Sequence, residues 1–187
     1  KTNQDILYSG SKFILLDKYN IKKNSKKIKK KHVLIFFGAS NKKNLSFKYA
    51  FQLVRIGFNV NLVIGKYSRE NIKYKKKIRN LSIKKNPKNF LNLIKESEIV
   101  FTNAGNTLFE SMFLKKKIWS IPQSKFEKNI YNYLFKKKFI NFKIIKSKNI
   151  NEINNTPKYV NLAFNAEKEI KKIIDKCVKI NEKKNKT

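Results

Sequence analysis

Ser97-Glu98-Ile99-Val100-Phe101-Thr102-Asn103-Ala104-Gly105-Asn106-Thr107-Leu108-Phe109-Glu110 is the stretch around which the rest of the sequence is organised. Ile99, Val100 and Phe101 form a short apolar run, Gly105 breaks it, and Thr107, Leu108 and Phe109 open a helical pattern that ends in lysines. Strand, tight turn, helix is the order. In an open α/β sheet such a turn lies at the carboxyl end of a strand, with the first free amides of the helix facing the crevice where ligands bind. A phosphate fits there, and Glu110, one turn into the helix, is placed to accept hydrogen bonds from neighbouring hydroxyls such as those of a ribose. Thr107 to Glu110 also has the S/T-x-x-E spacing of a capping box, in which the two side chains satisfy free helix amides. Spacing alone leaves both readings open.

Outward from this unit the same alternation repeats. Val33 to Phe37 is a continuous apolar run that ends at Gly38-Ala39-Ser40-Asn41, as expected of a buried parallel strand followed by a small-residue turn. Leu45, Tyr49, Leu53 and Val54 share a helical face, and Gly57 is placed to stop that helix. Phe58 to Ile64 is the next strand, closed by Gly65. A lysine-rich helix with Ile72 and Ile78 is expected after it, then a short strand at Leu81 to Ile83, a turn at Pro87 to Asn89, and a helix opened by Phe90, Leu91 and Ile94. Beyond Glu110, Lys117 to Ile121 reads as a strand ended by Pro122. Ile130, Tyr131, Leu134 and Phe135 give a helical face, Phe139 to Ile145 a last strand, and Ala166 to Ile180 a closing helix. Alternation of this kind predicts a Rossmann-like, doubly wound parallel sheet of the α/β class with right-handed crossovers. The division expected is a linker and remnant of a preceding domain over 1–31, the ligand-binding domain over 32–146, and a helical extension over 147–187.

The chain has 187 residues, 41% of them hydrophobic, with 15 Phe and 8 Tyr, enough for one substantial core. No apolar run approaches the roughly 18 residues of a membrane span. Lys1 in place of an initiating methionine fits a piece of a longer protein, and no signal peptide is evident. A single Cys177 excludes an intramolecular disulfide and fits a reducing, cytoplasmic setting. His32 has no second histidine or carboxylate cluster beside it, so neither a metal nor another cofactor is expected. Trp119 reads as core. The net charge of +33 comes almost wholly from lysine, with Arg55, Arg69 and Arg79 the exceptions. Arginine is the better reader of bases and phosphates, so specific nucleic-acid binding is not expected, although the field favours anionic ligands.

Four stretches now fall in one order: Gly10-Ser11-Lys12-Phe13-Ile14-Leu15-Leu16, Phe37-Gly38-Ala39-Ser40-Asn41, Asn103-Ala104-Gly105-Asn106-Thr107-Leu108-Phe109-Glu110, and Ile121-Pro122. This order resembles the carboxy-terminal half of the UDP-sugar hydrolases of pseudaminic acid synthesis, which share the glycosyltransferase B fold with the MurG-like transferases. The resemblance runs from Gly10 to about Asn141. It implies a nucleotide-sugar site made by Gly38, Ser40, Asn41, Asn103, Gly105, Asn106, Thr107, Glu110 and Glu127, with Glu110 on the ribose and the turn before Phe90 near the uracil. Here Ser11, Phe13, Ala39, Asn41 and Asn106 replace a proline, a tyrosine, a glycine, an aspartate and a glycine of the family pattern. Phe126-Glu127 stands where the family carries Asn-Gln. The catalytic histidine of the family belongs to an amino-terminal domain that this chain lacks, so no catalytic residue is assigned here. The partners implied are UDP or a UDP-sugar and that missing domain or subunit. Three other readings stay open: a MurG-like UDP-sugar transferase, a degenerate member without chemistry, and a lysine-rich nucleic-acid-binding domain.

Overall fold

The computed structural model describes residues 14–16, 26–39, 45–68, 78–136, 153 and 166–184, with side chains of the last segment described to 175. The chain divides into two compact units, one over Tyr19–Asn161 and the other made of Lys1–Lys18 with Leu162–Thr187.

The larger unit is a five-stranded, all-parallel sheet. Its elements are β1 (Lys29–Phe36), α1 (Leu45–Arg55), β2 (Asn59–Ile64), β3 (Leu81–Lys85), α2 (Phe90–Glu96), β4 (Ser97–Thr102), α3 (Asn106–Phe113), β5 (Lys117–Ser120) and α4 (Lys125–Lys136). The strand order is β3-β2-β1-β4-β5. The chain therefore winds outward from β1 in one direction, then returns to lay β4 against the other side of β1. That reversal is the topological switch point of a doubly wound sheet, and it opens a crevice at the carboxyl ends of β1 and β4.

Both faces of the sheet are covered, which is why its strands read as apolar runs and not as alternations. Val33, Ile35 and Phe37 pack with Tyr49, Ala50 and Leu53 of α1 and with Phe101 and Trp119 on one face. Leu34 and Val100 pack with Leu93 and Ile94 of α2 on the other. Trp119 is core, as expected, stacked on Phe101 with ring centroids 5.0 Å apart.

Local signals set the ends of the helices. After α1, Gly57 has φ of 86°, its N–H donates to Val54 C=O, and Phe58 N–H donates to Leu53 C=O, a Schellman motif at the glycine expected to stop the helix. After α3, Lys115 takes the same left-handed position at φ 56°, and Lys116 N–H donates to Ser111 C=O. A lysine there carries a steric cost that glycine would not.

Three expectations are corrected. The lysine run taken as linker up to Lys31 belongs to β1 from Lys29 onward: Lys29 pairs with Ser97, the register shifts before Val33 pairs with Ile99, and Lys31 N–H donates to Glu98 Oε2 at 2.8 Å. Phe135 is not buried with Tyr131 and Leu134 on α4: it lies one turn after Tyr131 and stacks on it with ring centroids 6.3 Å apart, but at the edge of that face, and it stays exposed, as does Tyr133. Ile78 lies outside any helix. The remainder of the lysine-rich helix and the strand expected at Phe139 to Ile145 lie outside the described residues.

In the smaller unit, α5 (Ala166–Lys184) is the expected closing helix. Lys172 Nζ pairs with Glu169 Oε1 one turn away at 3.0 Å. No described helix is long and apolar enough to cross a membrane.

Candidate functional site

The crevice is built from two turns. The first leaves β1 at Phe37-Gly38-Ala39, with Gly38 at φ 84°, a conformation that glycine adopts without strain. It is held from the side by the turn after β2: Tyr67 N–H donates to Ala39 C=O at 3.1 Å. Gly65 lies so close that a Cβ there would sit 2.4 Å from Ala39 O and 2.5 Å from Ala39 Cα. Gly65, read in the sequence only as the end of a strand, is thus required for the packing of one turn on the other. The sequence signal was the glycine itself, but its neighbour across the sheet was not legible.

The second turn runs from Asn103 to Gly105. Gly105 is the N-cap of α3, with an extended backbone and no side-chain capping bond. Leu108 N–H donates to Gly105 C=O at 3.0 Å. Thr107 is therefore the second residue of the helix and not its cap, so the capping box read from Thr107 and Glu110 is not formed. Capping of that spacing occurs at Ser124-Lys125-Phe126-Glu127 instead. Glu127 N–H donates to Ser124 Oγ at 3.1 Å, Lys128 N–H donates to Ser124 C=O at 3.0 Å, and Glu127 Oε2 accepts Gln123 N–H at 2.7 Å.

Asn103 joins the two turns to α4. Its Nδ2 donates to Glu127 Oε1 at 2.7 Å, and Thr102 Oγ1 donates weakly to its Oδ1 at 3.4 Å. A Cβ on Gly38 would lie 3.1 Å from Asn103 Nδ2, and one on Gly105 would lie 3.5 Å from it. Gly38, Asn103, Gly105 and Glu127, expected at one site from the sequence, are brought together. Asn106 and Thr107 form the first turn of α3 beside them. Ser40 and Asn41 lie outside the described residues. The turn before Phe90 leaves β3 at the edge of the sheet, where Asn86 N–H donates to Ile64 C=O at 2.9 Å.

Glu110 sits one turn into α3, half-buried, and burial raises its carboxyl pKa above the usual value. Among the described residues no hydrogen bond or ion pair to its carboxylate is formed. Its oxygens are not among the fully buried unpartnered polar atoms, so they stay within reach of donors from outside the protein. Among the described residues no group of His, Cys, Asp and Glu is arranged to hold a metal ion.

Among the described residues, the buried Ser111 Oγ on α3, Ser120 Oγ at the end of β5 and Gln52 Oε1 on α1 have no hydrogen-bond partner. Phe126, beside Glu127 at the start of α4, is 73% exposed.

No family model matches the chain. It is 30% identical over 149 residues to an uncharacterized protein of Methanocaldococcus jannaschii, a match that covers 72% of this chain and 31% of that protein. The chain thus spans about a third of the length of this curated relative. Among solved structures it is similar to MurG of Acinetobacter baumannii, with a TM-score of 0.47 and 15% identity over 74% of this chain and 43% of MurG. It is also similar to UGT89C1 of Arabidopsis thaliana, solved in complex with UDP, with a TM-score of 0.47 and 11% identity over 65% of this chain and 30% of that protein.

Proposed function

We propose that this chain is the nucleotide-sugar-binding half of a glycosyltransferase B-type enzyme, a UDP-sugar hydrolase that releases UDP from a UDP-linked deoxyamino sugar. The observation that carries the reading is the meeting of two glycine turns at the switch point, beside a helix start without a side-chain cap and a half-buried Glu110 to which no described residue donates.

In the proposed reaction a water oxygen attacks the anomeric carbon, the bond from that carbon to the diphosphate oxygen breaks, and the electron pair leaves with UDP. A general base takes the proton from the water. This chain would stabilise the leaving diphosphate. The amides of Asn106 and Thr107 and the positive end of α3 would meet the developing charge, and Asn103 would add a carboxamide donor; Ser40 and Asn41, which follow Gly38-Ala39 in the sequence, are the further candidates for the diphosphate. Glu110 would accept the ribose hydroxyls. The base would be supplied by a preceding domain, so the segment by itself would bind ligand and turn nothing over. Transfer to a sugar acceptor, the MurG-like alternative, makes the same demands on this half, because the leaving group is the same.

The test is a calorimetric titration of UDP into the chain at moderate salt, repeated with CMP and with Glu110→Ala. UDP is expected to bind, CMP to bind more weakly, and the variant to lose about tenfold in UDP affinity with its fold intact. Equal, salt-sensitive binding of every phosphate compound would reduce the site to a lysine field and sink the reading.

A further inference from the structure

The bridge between Asn103 and Glu127 connects segments far apart in sequence. Asn103 follows β4, Glu127 lies in the first turn of α4, and the carboxamide between them rests against Gly38 at the end of β1. An asparagine carboxamide has a donor end and an acceptor end, whereas an ionised carboxylate only accepts. Glu127 therefore admits one orientation of Asn103: Nδ2 toward Oε1, Oδ1 toward the Thr102 hydroxyl.

Glu127 is itself fixed. Its Oε2 accepts Gln123 N–H at 2.7 Å, and its own N–H is held by Ser124 Oγ. Both carboxylate oxygens are thus engaged inside the protein. In a chain of net charge +33, no Lys or Arg among the described residues pairs with this carboxylate. Glycine on either side gives the carboxamide its place, since a side chain at Gly38 would press on Nδ2.

We propose that Glu127 is a positioning residue of the crevice: it locks the place and orientation of the Asn103 carboxamide between the two glycine turns, and Asn103, not Glu127, meets the ligand. The identity of that ligand rests on the UDP reading above; the geometry of the lock does not. Glu127→Gln keeps the shape but has one carbonyl oxygen for two donors, so either Asn103 or Gln123 N–H is left facing an NH2. Glu127→Ala removes both acceptors and frees the carboxamide to turn over.

Two measurements test this. In the first, UDP is titrated into the wild type, Glu127→Gln, Glu127→Ala, Asn103→Ala and the double alanine variant. Each alanine variant is expected to weaken binding about tenfold, the double variant to be no weaker than the weaker single, and Glu127→Gln to fall between. Losses that multiply, to about a hundredfold in the double variant, would mean that Glu127 touches the ligand itself and would overturn the proposal. The second measurement is 15N-resolved NMR without ligand. The Gly38 and Gly105 backbone amides and the Asn103 side-chain amide are expected to move in Glu127→Gln, and the two glycine amides to move in the same sense in Asn103→Ala. Glycine amides unmoved in the Glu127 variants would overturn the proposal. Should the wild type fail to bind UDP, the nucleotide reading falls, and the NMR result alone decides the lock.

Discussion

The two ends of the sheet handle charge in opposite ways. At the amino ends of the strands, carboxylates meet cations: Lys29 Nζ pairs with Glu96 at 2.6 Å, and Lys117 Nζ pairs with Glu98 at 2.9 Å. Burial would raise the Glu98 pKa, but the bonds from Lys117 Nζ and Lys31 N–H outweigh it and hold it below the usual range. Glu96 is lowered too, first by its bond from Lys29. At the carboxyl ends, Glu127 is met by neutral N–H groups and Glu110 by none among the described residues. One end satisfies its charges internally. The other has glycine turns, a helix start without a side-chain cap and carboxylates that pair with no lysine or arginine among the described residues.

This contrast can be broken or sharpened by substitution. Gly65→Ala strikes the carboxyl end hardest, because the added Cβ meets the Ala39 backbone and the turn after β1 must move. A loss of about 3 kcal/mol in denaturant unfolding is expected, together with loss of UDP binding. An unchanged midpoint would show that the two turns are free to part.

Glu98→Ala should cost about 1–2 kcal/mol and leave UDP affinity unchanged. The folded-state pKa of Glu98 is depressed, so its stabilisation is present above the ordinary carboxyl pKa and is lost as pH falls through the folded value. Urea midpoints of the wild type and variant should therefore converge in acid.

Lys116 is the exception at the amino end. It is buried at the start of β5, donates from Nζ to Lys95 C=O at the close of α2, and is lowered by burial to about 8. Its charged form is disfavoured in the fold, so the penalty is full below the folded pKa and fades as pH rises toward the unfolded value. Lys116→Met is expected to stabilise by about 1 kcal/mol at neutral pH, with the gain over wild type shrinking in thermal melts at higher pH. A destabilised Met variant would mean that the bond to Lys95 C=O outweighs the desolvation.

The smallest effect is expected from Glu110→Gln. The raised pKa means that the charged carboxylate destabilises the fold above its folded value and not below the ordinary one. The variant should gain a fraction of a kcal/mol at pH 7, on the order of 0.5, lose that gain in acid, and bind UDP more weakly. A gain in stability bought by a loss in affinity would mark Glu110 as a residue kept for ligand.

Much of this was legible in the sequence, for a local reason. The apolar runs at Val33, Phe58 and Ile99, each closed by a small-residue turn and followed by a helical period, predict strand, turn and helix without any knowledge of neighbours. Gly38 and Gly105 were found the same way. Thr107 and Ser124 show the limit: both stand three residues before a glutamate, yet only Ser124 caps a helix, because Gly105 already begins α3 two residues ahead of Thr107. The exposure of Phe135 was missed because its spacing from Tyr131 sets it at the edge of the apolar face, and spacing alone does not say whether a neighbour covers that edge. Gly65 against Ala39, Lys116 beneath α2, and Lys29 inside β1 depend on which strands lie side by side, and nothing local encodes that.

The sequence by itself determined the class of fold, through the period of its apolar residues, and the positions of the turns, through the backbone freedom of glycine. Only the tertiary structure decided the strand order, and with it the reversal between β1 and β4 that makes a crevice out of two turns about sixty-five residues apart, Gly38 and Asn103. It also decided the direction of Glu127, which the sequence offered as a ligand residue and the fold turns onto Asn103. Side-chain partners of this kind are fixed by contacts between distant segments, whose cost in chain entropy is met by the core they enclose.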